Sequence, residues 1–189
     1  MYFQTEQIKL RPFELHDAPD LRAFLNHPKL SGRRYIPRGF PDEVPLSLNQ
    51  VEAIIKKWGE EEREAHLAIK LSDKKELIGH AEFEWDWDPQ APWVSVVIAR
   101  PHQRQGYGTQ VLQLILEYLF ENSPAHNVSS WMADWNQASR SFAKKLGFQE
   151  SGRSRREGFR NGAYFDGILV DILRPEYLSK GGLNYGAGR

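Results

Sequence analysis

VSVVIARPHQRQGYGTQVLQLILEYLF, residues 94–120, runs from an apolar strand through a glycine-containing turn into an amphipathic helix. Val94, Val96, Val97 and Ile98 are β-branched and favour a strand, and their near-continuous run is the pattern of a strand buried on both faces. Pro101 ends that strand. From Gly108 onward Val111, Leu112, Ile115, Leu116 and Leu119 recur at helical spacing, which predicts one apolar face on a helix starting close to Gly106.

The turn therefore lies against a helix N-terminus. First-turn amides have no intrahelical partner and carry the positive end of the helix dipole, so Gly106 and Gly108 would let a phosphate come close, with Arg104 adding charge nearby. Two glycines that only relieve strain at a strand-to-helix turn are the plain alternative. Spacing excludes two phosphate motifs: a dinucleotide fingerprint needs glycine where Val111 stands, and a P-loop needs Gly-Lys-Ser/Thr, which the chain lacks. What remains is Gln103-x-x-Gly106-x-Gly108. This segment resembles the acyl-CoA pyrophosphate loop of the GNAT N-acetyltransferase superfamily, Gln/Arg-x-x-Gly-x-Gly/Ala between a strand and a helix.

With 189 residues, 40% of them hydrophobic, the chain is long enough for one domain with a sizeable core. Its 25 basic and 25 acidic residues cancel, which gives no whole-chain pull toward nucleic acid or membrane. It has no cysteine, so disulfides, thiolate metal sites and a catalytic thiol are excluded, and no metal is expected. No apolar run approaches the roughly 18 residues of a membrane span, and MYFQTEQIKLRPF has no leader-like pattern. The expectation is a soluble, cytoplasmic protein.

Residues 7–13 alternate Ile8, Leu10 and Pro12 against charged neighbours, as a half-buried first strand would. Asp17 reads as a cap for a helix over 18–25, with Leu21, Phe24 and Leu25 on one face and a stop before Asn26-His27-Pro28. Proline, glycine and arginine predict an irregular connection over 29–50, in which Arg33, Arg34, Tyr35 and Arg38 rim an acceptor or are simply solvated. Val51, Ile54, Ile55 and Trp58 restore a helix. Residues 66–71 and 77–87 flank the turn Ser72-Asp73-Lys74-Lys75 and read as a hairpin. Strict alternation puts His80, Glu82, Glu84 and Asp86 on one face, and Leu77, Ala81, Phe83 and Trp85 on the other. That acidic row is either a solvent-facing side or a wall that attracts an amine and supplies a base.

Residues 128–135 read as another strand and Asn136-Gln137-Ala138-Ser139 as a helix start. Phe142, Ala143 and Leu146 form that helix's apolar face, Lys144 and Lys145 lie near its end, and Gly147 reads as the left-handed cap. Asn136, Ser139 and the following Lys-x-Gly-Phe resemble a second GNAT segment. The match continues through the Tyr164-x-Asp166 strand in the manner of the RimJ/RimL-like branch, whose members include ribosomal-protein-alanine N-acetyltransferases. Ile168, Val170 and Ile172 alternate as a buried face. The expectation is a single domain over 1–178 and a glycine-rich mobile tail over 179–189.

The resemblance, which spans about residues 8–173, implies an α/β fold with a mixed central sheet flanked by helices. It implies acetyl-CoA-dependent N-acetylation of a primary amine, on a protein N-terminus or a small molecule, with acetyl-CoA as cosubstrate. In that family the strand equivalent to residues 96–99, here Val97, Ile98 and Ala99, pairs with pantetheine. The loop of Gln103, Arg104, Gln105, Gly106, Tyr107, Gly108 and Thr109 holds the pyrophosphate. Asn136 is implied as a pantetheine contact. Ala143 stands where many members carry a tyrosine acid, which leaves Ser139 as the candidate donor to the departing thiolate.

Direct transfer needs an uncharged amine, yet only about one lysine-like amine in a thousand is neutral at pH 7. Glu82 and Glu84, then Asp86, are the candidate bases. The acidic row suits a cationic acceptor, and Arg33, Arg34 and Arg38 an anionic one. A non-catalytic acyl-CoA-binding sensor and a plain interaction domain are the competing readings, and the aromatic residues leave a homodimer open.

Overall fold

The computed structural model describes residues 3–27, 45–74, 76–85 and 88–179. The chain divides into two compact units, Met1–Glu84 with Ser95–Leu114, and Trp85–Val94 with Ile115–Arg189. Among the described residues no helix is long and apolar enough to cross a membrane.

The first unit contains β1 (Phe3–Gln4), β2 (Ile8–Pro12), α1 (Ala18–Leu25), α2 (Leu48–Glu60), β3 (Glu64–Leu71) and β4 (Leu77–Glu84). It also holds most of β5 (Trp93–Ile98) and the first turns of α3 (Tyr107–Asn122). Its strands lie in the order β1-β2-β3-β4-β5, and β1 through β4 pair antiparallel. The expected first strand is thus preceded by a two-residue one, Phe3 opposite Leu10. In β2 Ile8 and Leu10 are fully buried, whereas Pro12 is exposed at the strand end. Register places Ile8 opposite Leu71 and Leu10 opposite Ile69, on one sheet face.

The opposite face of β3 and β4 is covered by α1 and α2. Leu21, Phe24 and Leu25 of α1 and Val51 and Ile55 of α2 pack with Phe13 and Ala68 into one apolar cluster. Helix α1 ends at Leu25, as its sequence predicts. Helix α2 begins at Leu48, earlier than its apolar spacing indicates, because Ser47 accepts from the Gln50 amide while the Gln50 side chain returns to Ser47 N–H. Gly59 lies in its last turn, where a Cβ would meet no atom within 4 Å. Gly59→Ala is therefore expected to raise stability by about 0.5–1 kcal/mol, read as a higher midpoint in urea.

Asp17 does not cap α1 through its side chain. Its buried carboxylate turns back toward the sheet and accepts from Arg11 Nη1 at 2.6 Å and Nη2 at 2.8 Å, Lys70 Nζ at 2.7 Å and the Glu14 amide at 3.0 Å. This node ties β2, β3 and the start of α1 together.

The hairpin over β3 and β4 contains a register shift at Ile69/Lys70, which pairs Ile69 with Gly79 and Lys70 with Leu77. Strict alternation consequently fails at Leu77, which packs with Ala68 on the helix-covered face rather than opposite His80. Strand β4 ends at Glu84, short of the expected residue 87. Asp86 and Trp87 lie outside the described residues, as do Arg33, Arg34, Tyr35 and Arg38.

The second unit contains the start of β5, the later turns of α3, β6 (Asn127–Ala133), α4 (Gln137–Lys145), β7 (Gln149–Arg160), β8 (Ala163–Leu173) and α5 (Arg174–Ser179). Its strand order is β5-β6-β8-β7. Trp93 pairs parallel with Ser129, and β6–β8 and β7–β8 are antiparallel. The sheet is therefore mixed. Ile168, Val170 and Ile172 are buried as their alternation predicts, and Phe120 packs on Tyr177 with ring centroids 4.9 Å apart. Strand β6 ends at Ala133, so Trp135 stands outside it and is exposed, with Arg160 over its ring at 4.0 Å. The positive φ of 99° at Gly147 matches its reading as a helix cap. Ser179 belongs to α5, and the remainder of the expected tail lies outside the described residues.

Candidate functional site

After Ile98 the chain enters a 3-10 turn, Arg100–His102, and then the loop that precedes α3. Two side-chain amides brace it: Gln103 Nε2 donates to Ile98 O at 2.8 Å, and Gln105 Nε2 to Pro101 O at 2.9 Å. Arg104 and Gly106 take left-handed backbone conformations, with φ of 65° and 89°. The first intrahelical bond runs from Gln110 N to Gly106 O at 3.1 Å. The amides of Tyr107, Gly108 and Thr109 therefore precede the helical ladder, at the positive end of a 16-residue helix. Gln103, Arg104, Gln105 and Gly106 are exposed. A glycine at φ 89°, three amides ahead of the helical ladder and an exposed arginine two residues before that glycine are donors of the kind a pyrophosphate needs.

Strand β5 departs from the expectation of two buried faces. Only Val94 is fully buried, and Val96, Val97, Ile98 and Ala99 are half-buried. The Ala99 amide is held by Ile78 O at 2.8 Å.

On the helix-covered face of β3 and β4 lies a polar cluster within the apolar one. His66 stands opposite Glu82, and His80 opposite Ala68. Trp58 of α2 stacks on both imidazoles, 4.4 Å from His66 at 13° and 5.2 Å from His80 at 9°, and Phe13 lies 5.6 Å from His80. The His66 Nε2 is 2.9 Å from Glu64 Oε2, and its Nδ1 is 3.3 Å from Glu82 Oε2. His80 Nε2 is 3.8 Å from the same Glu82 oxygen. Burial, and then the neighbouring His66, pushes the His80 imidazole down to about 3, so its ring is neutral near pH 7.

The acidic row is thus not a solvent-facing side: His80 is buried and Glu82 half-buried. Glu84 lies two residues further along, opposite Glu64. Sequence reading selected Glu82 and Glu84 but missed Glu64, His66 and Trp58. Counting pairs outward from the turn would have brought His66 to this face only with the extra residue of the bulge included.

In the second unit, Asn136 caps α4, its Oδ1 accepting from the Ser139 amide at 3.2 Å. Ser139 is half-buried, and Ala143 is buried on the helix's inner face. Both segments that carry the resemblance accordingly form helix starts.

A family model described as acetyltransferase (GNAT) domain matches residues 7–149. Among known proteins the chain is similar to spermidine N(1)-acetyltransferase of Vibrio cholerae, 27% identical over 177 residues, covering 93% of this chain and 98% of that protein. It is also similar to the uncharacterized N-acetyltransferase YnaD of Bacillus subtilis, 26% identical over 184 residues, covering 94% and 99%. The crystal structure of an acetyltransferase (GNAT family) from Bacillus anthracis has a TM-score of 0.78 at 16% identity, covering 93% of this chain and 99% of that one, which is a likeness of fold.

Proposed function

The chain belongs to the GNAT acetyltransferase family, and from that premise we propose that it transfers the acetyl group of acetyl-CoA to a cationic primary amine. The loop before α3 carries this reading. Its left-handed Gly106, the amides of Tyr107, Gly108 and Thr109, and the exposed Arg104 suit a pyrophosphate. Gln103 and Gln105 hold the loop in shape through their bonds to Ile98 O and Pro101 O. The half-buried stretch of Val97, Ile98 and Ala99 is assigned by the resemblance to pantetheine.

Acetyl-CoA supplies a thioester whose carbonyl is open to attack by a neutral amine. Glu64, Glu82 and Glu84 give one sheet face the negative charge that attracts an ammonium group, and Glu82 or Glu84 takes its proton. In α4 the Oδ1 of Asn136 is taken by the Ser139 amide, so the Asn136 NH2 group is the part that serves a ligand carbonyl. The Ser139 hydroxyl is the assigned proton donor to the departing thiolate. Ala143 offers no hydroxyl.

The acceptor is a primary amine of polyamine or peptide N-terminal type. The relative named spermidine N(1)-acetyltransferase favours the first, and the RimJ/RimL-like pattern of residues 136–166 favours the second.

Titration of acetyl-CoA into the wild type and into Gly106→Val tests the reading. A Cβ at Gly106 meets open space, so the variant's cost lies in its backbone, about 2 kcal/mol for a β-branched residue at this φ. Relaxation of the loop is expected to weaken binding about 30-fold. Thiol release with polyamines and N-terminal peptides then identifies the acceptor. Binding without release on any amine would favour an acyl-CoA sensor, and no binding by the wild type would remove the proposal.

A further inference from the structure

We infer that His66 Nδ1, His80 Nε2 and Glu82 Oε2 form a three-ligand site for a divalent transition ion of the zinc class, seated under Trp58 in the first unit. These three atoms all lie within 4.8 Å of one another, and each is buried without a hydrogen-bond partner among the described residues. Both histidines are more than nine-tenths buried, His66 at 6% and His80 at 2% exposure. Leaving such groups unpaired is costly, and a cation between them would engage all three at once.

The tautomer of His66 follows from its second contact. Its Nε2 lies 2.9 Å from Glu64 Oε2, so that nitrogen carries the proton and donates to the carboxylate. Nδ1 then presents its lone pair toward Glu82, 3.3 Å away. A carboxylate behind a histidine, fixing its ring and raising its basicity, is the outer partner that metal-ligating imidazoles ordinarily have. Two imidazoles and one carboxylate are a donor set that suits zinc and leaves a fourth position open. Zinc holds such ligands at about 2.0–2.2 Å, which spaces neighbouring donors by roughly 3.3–3.5 Å. The observed separations from Glu82 Oε2 are 3.3 and 3.8 Å, and the two imidazole nitrogens lie within 4.8 Å of each other, so an ion would draw the two rings together around Glu82. Trp58 stacks on the ring faces and leaves the in-plane lone pairs free while limiting the rings' rotation.

This assignment does not rest on the acetyl-transfer reading, and it leaves Glu84 as the carboxylate that accepts the amine proton there. The test is titration of the tag-free full chain, without acetyl-CoA, with Zn2+ by calorimetry and with Co2+ by visible absorption. The expected result is one ion per chain and the visible bands of low-coordinate Co2+. Glu82→Gln keeps the shape of a half-buried side chain and is expected to weaken binding at least 10-fold. His80→Ala is expected to abolish the visible bands. Glu64→Ala, acting only through His66, should cost roughly 10–100-fold in affinity. Circular dichroism establishes that each variant is folded before it is compared. Absence of ion binding by the wild type would overturn the assignment. Binding unchanged in folded Glu82→Gln and Glu64→Ala would overturn it equally.

Discussion

Replacing Asp17 with alanine is expected to destabilise the fold by about 3–5 kcal/mol, measured as the shift in a urea unfolding curve. The carboxylate is 1% exposed and receives four hydrogen bonds from Arg11, Lys70 and the Glu14 amide. Truncation leaves two cations beside each other, with side chains only 21% and 13% exposed, and one amide without its acceptor. Asp17→Asn retains oxygen and size but loses the charge, and should fall between the wild type and alanine. The same node sets an acid limit. Burial raises the Asp17 carboxyl, but the bonds from Arg11, Lys70 and Glu14 outweigh that and hold it well below its ordinary value of 3.8. A carboxyl depressed by folding contributes fully above its unfolded pKa and loses that contribution as pH falls toward the folded one. Wild-type stability should therefore drop from about pH 4 downward, with a shallower slope in Asp17→Asn. Equal slopes in the two proteins would remove Asp17 as a source of the acid response.

Asp17 also marks how far sequence reading reaches. Its place before Ala18 and the spacing of Leu21, Phe24 and Leu25 located α1 correctly, because a helix start and its apolar stripe are local properties. The partners of the carboxylate were not local: Lys70 lies 53 positions away. The strand-loop-helix around Gly106 was legible for the same reason as α1, since one stretch carries the glycine, the bracing glutamines and the apolar face. The histidine cluster was not. A hairpin closed symmetrically on Ser72–Lys75 would set His66 against Ala81, and the additional residue at the Ile69/Lys70 shift sets it against Glu82 instead. One residue of register decides whether two histidines and a carboxylate share a face. Exposure was misjudged along Val96, Val97 and Ile98 because β-branching signals a strand without saying which of its edges and faces are covered.

Gly79→Ala is expected to cost about 3 kcal/mol in stability and, beyond that, to weaken acetyl-CoA binding in the fraction that remains folded. A Cβ at this position would lie 2.3 Å from Val97 O, 3.0 Å from Ile69 Cδ1 and 3.2 Å from Ile98 Cδ1. The two isoleucine tips can turn aside, but the Val97 carbonyl is backbone, so β5 itself has to move. The displaced segment is the one whose Val97, Ile98 and Ala99 are assigned to pantetheine, and whose Ala99 amide is tied to Ile78, the residue before Gly79. A shift there also reaches the start of the pyrophosphate loop through Gln103 Nε2, which is bonded to Ile98 O. Gly79→Ala should therefore lower both the urea midpoint and the acetyl-CoA affinity. Gly59→Ala, which fills open space on α2, should raise the midpoint and leave the affinity alone. Loss of stability in Gly79→Ala with unchanged acetyl-CoA affinity would separate β5 from ligand binding. It would confine the cosubstrate's contacts in this unit to the loop amides before α3.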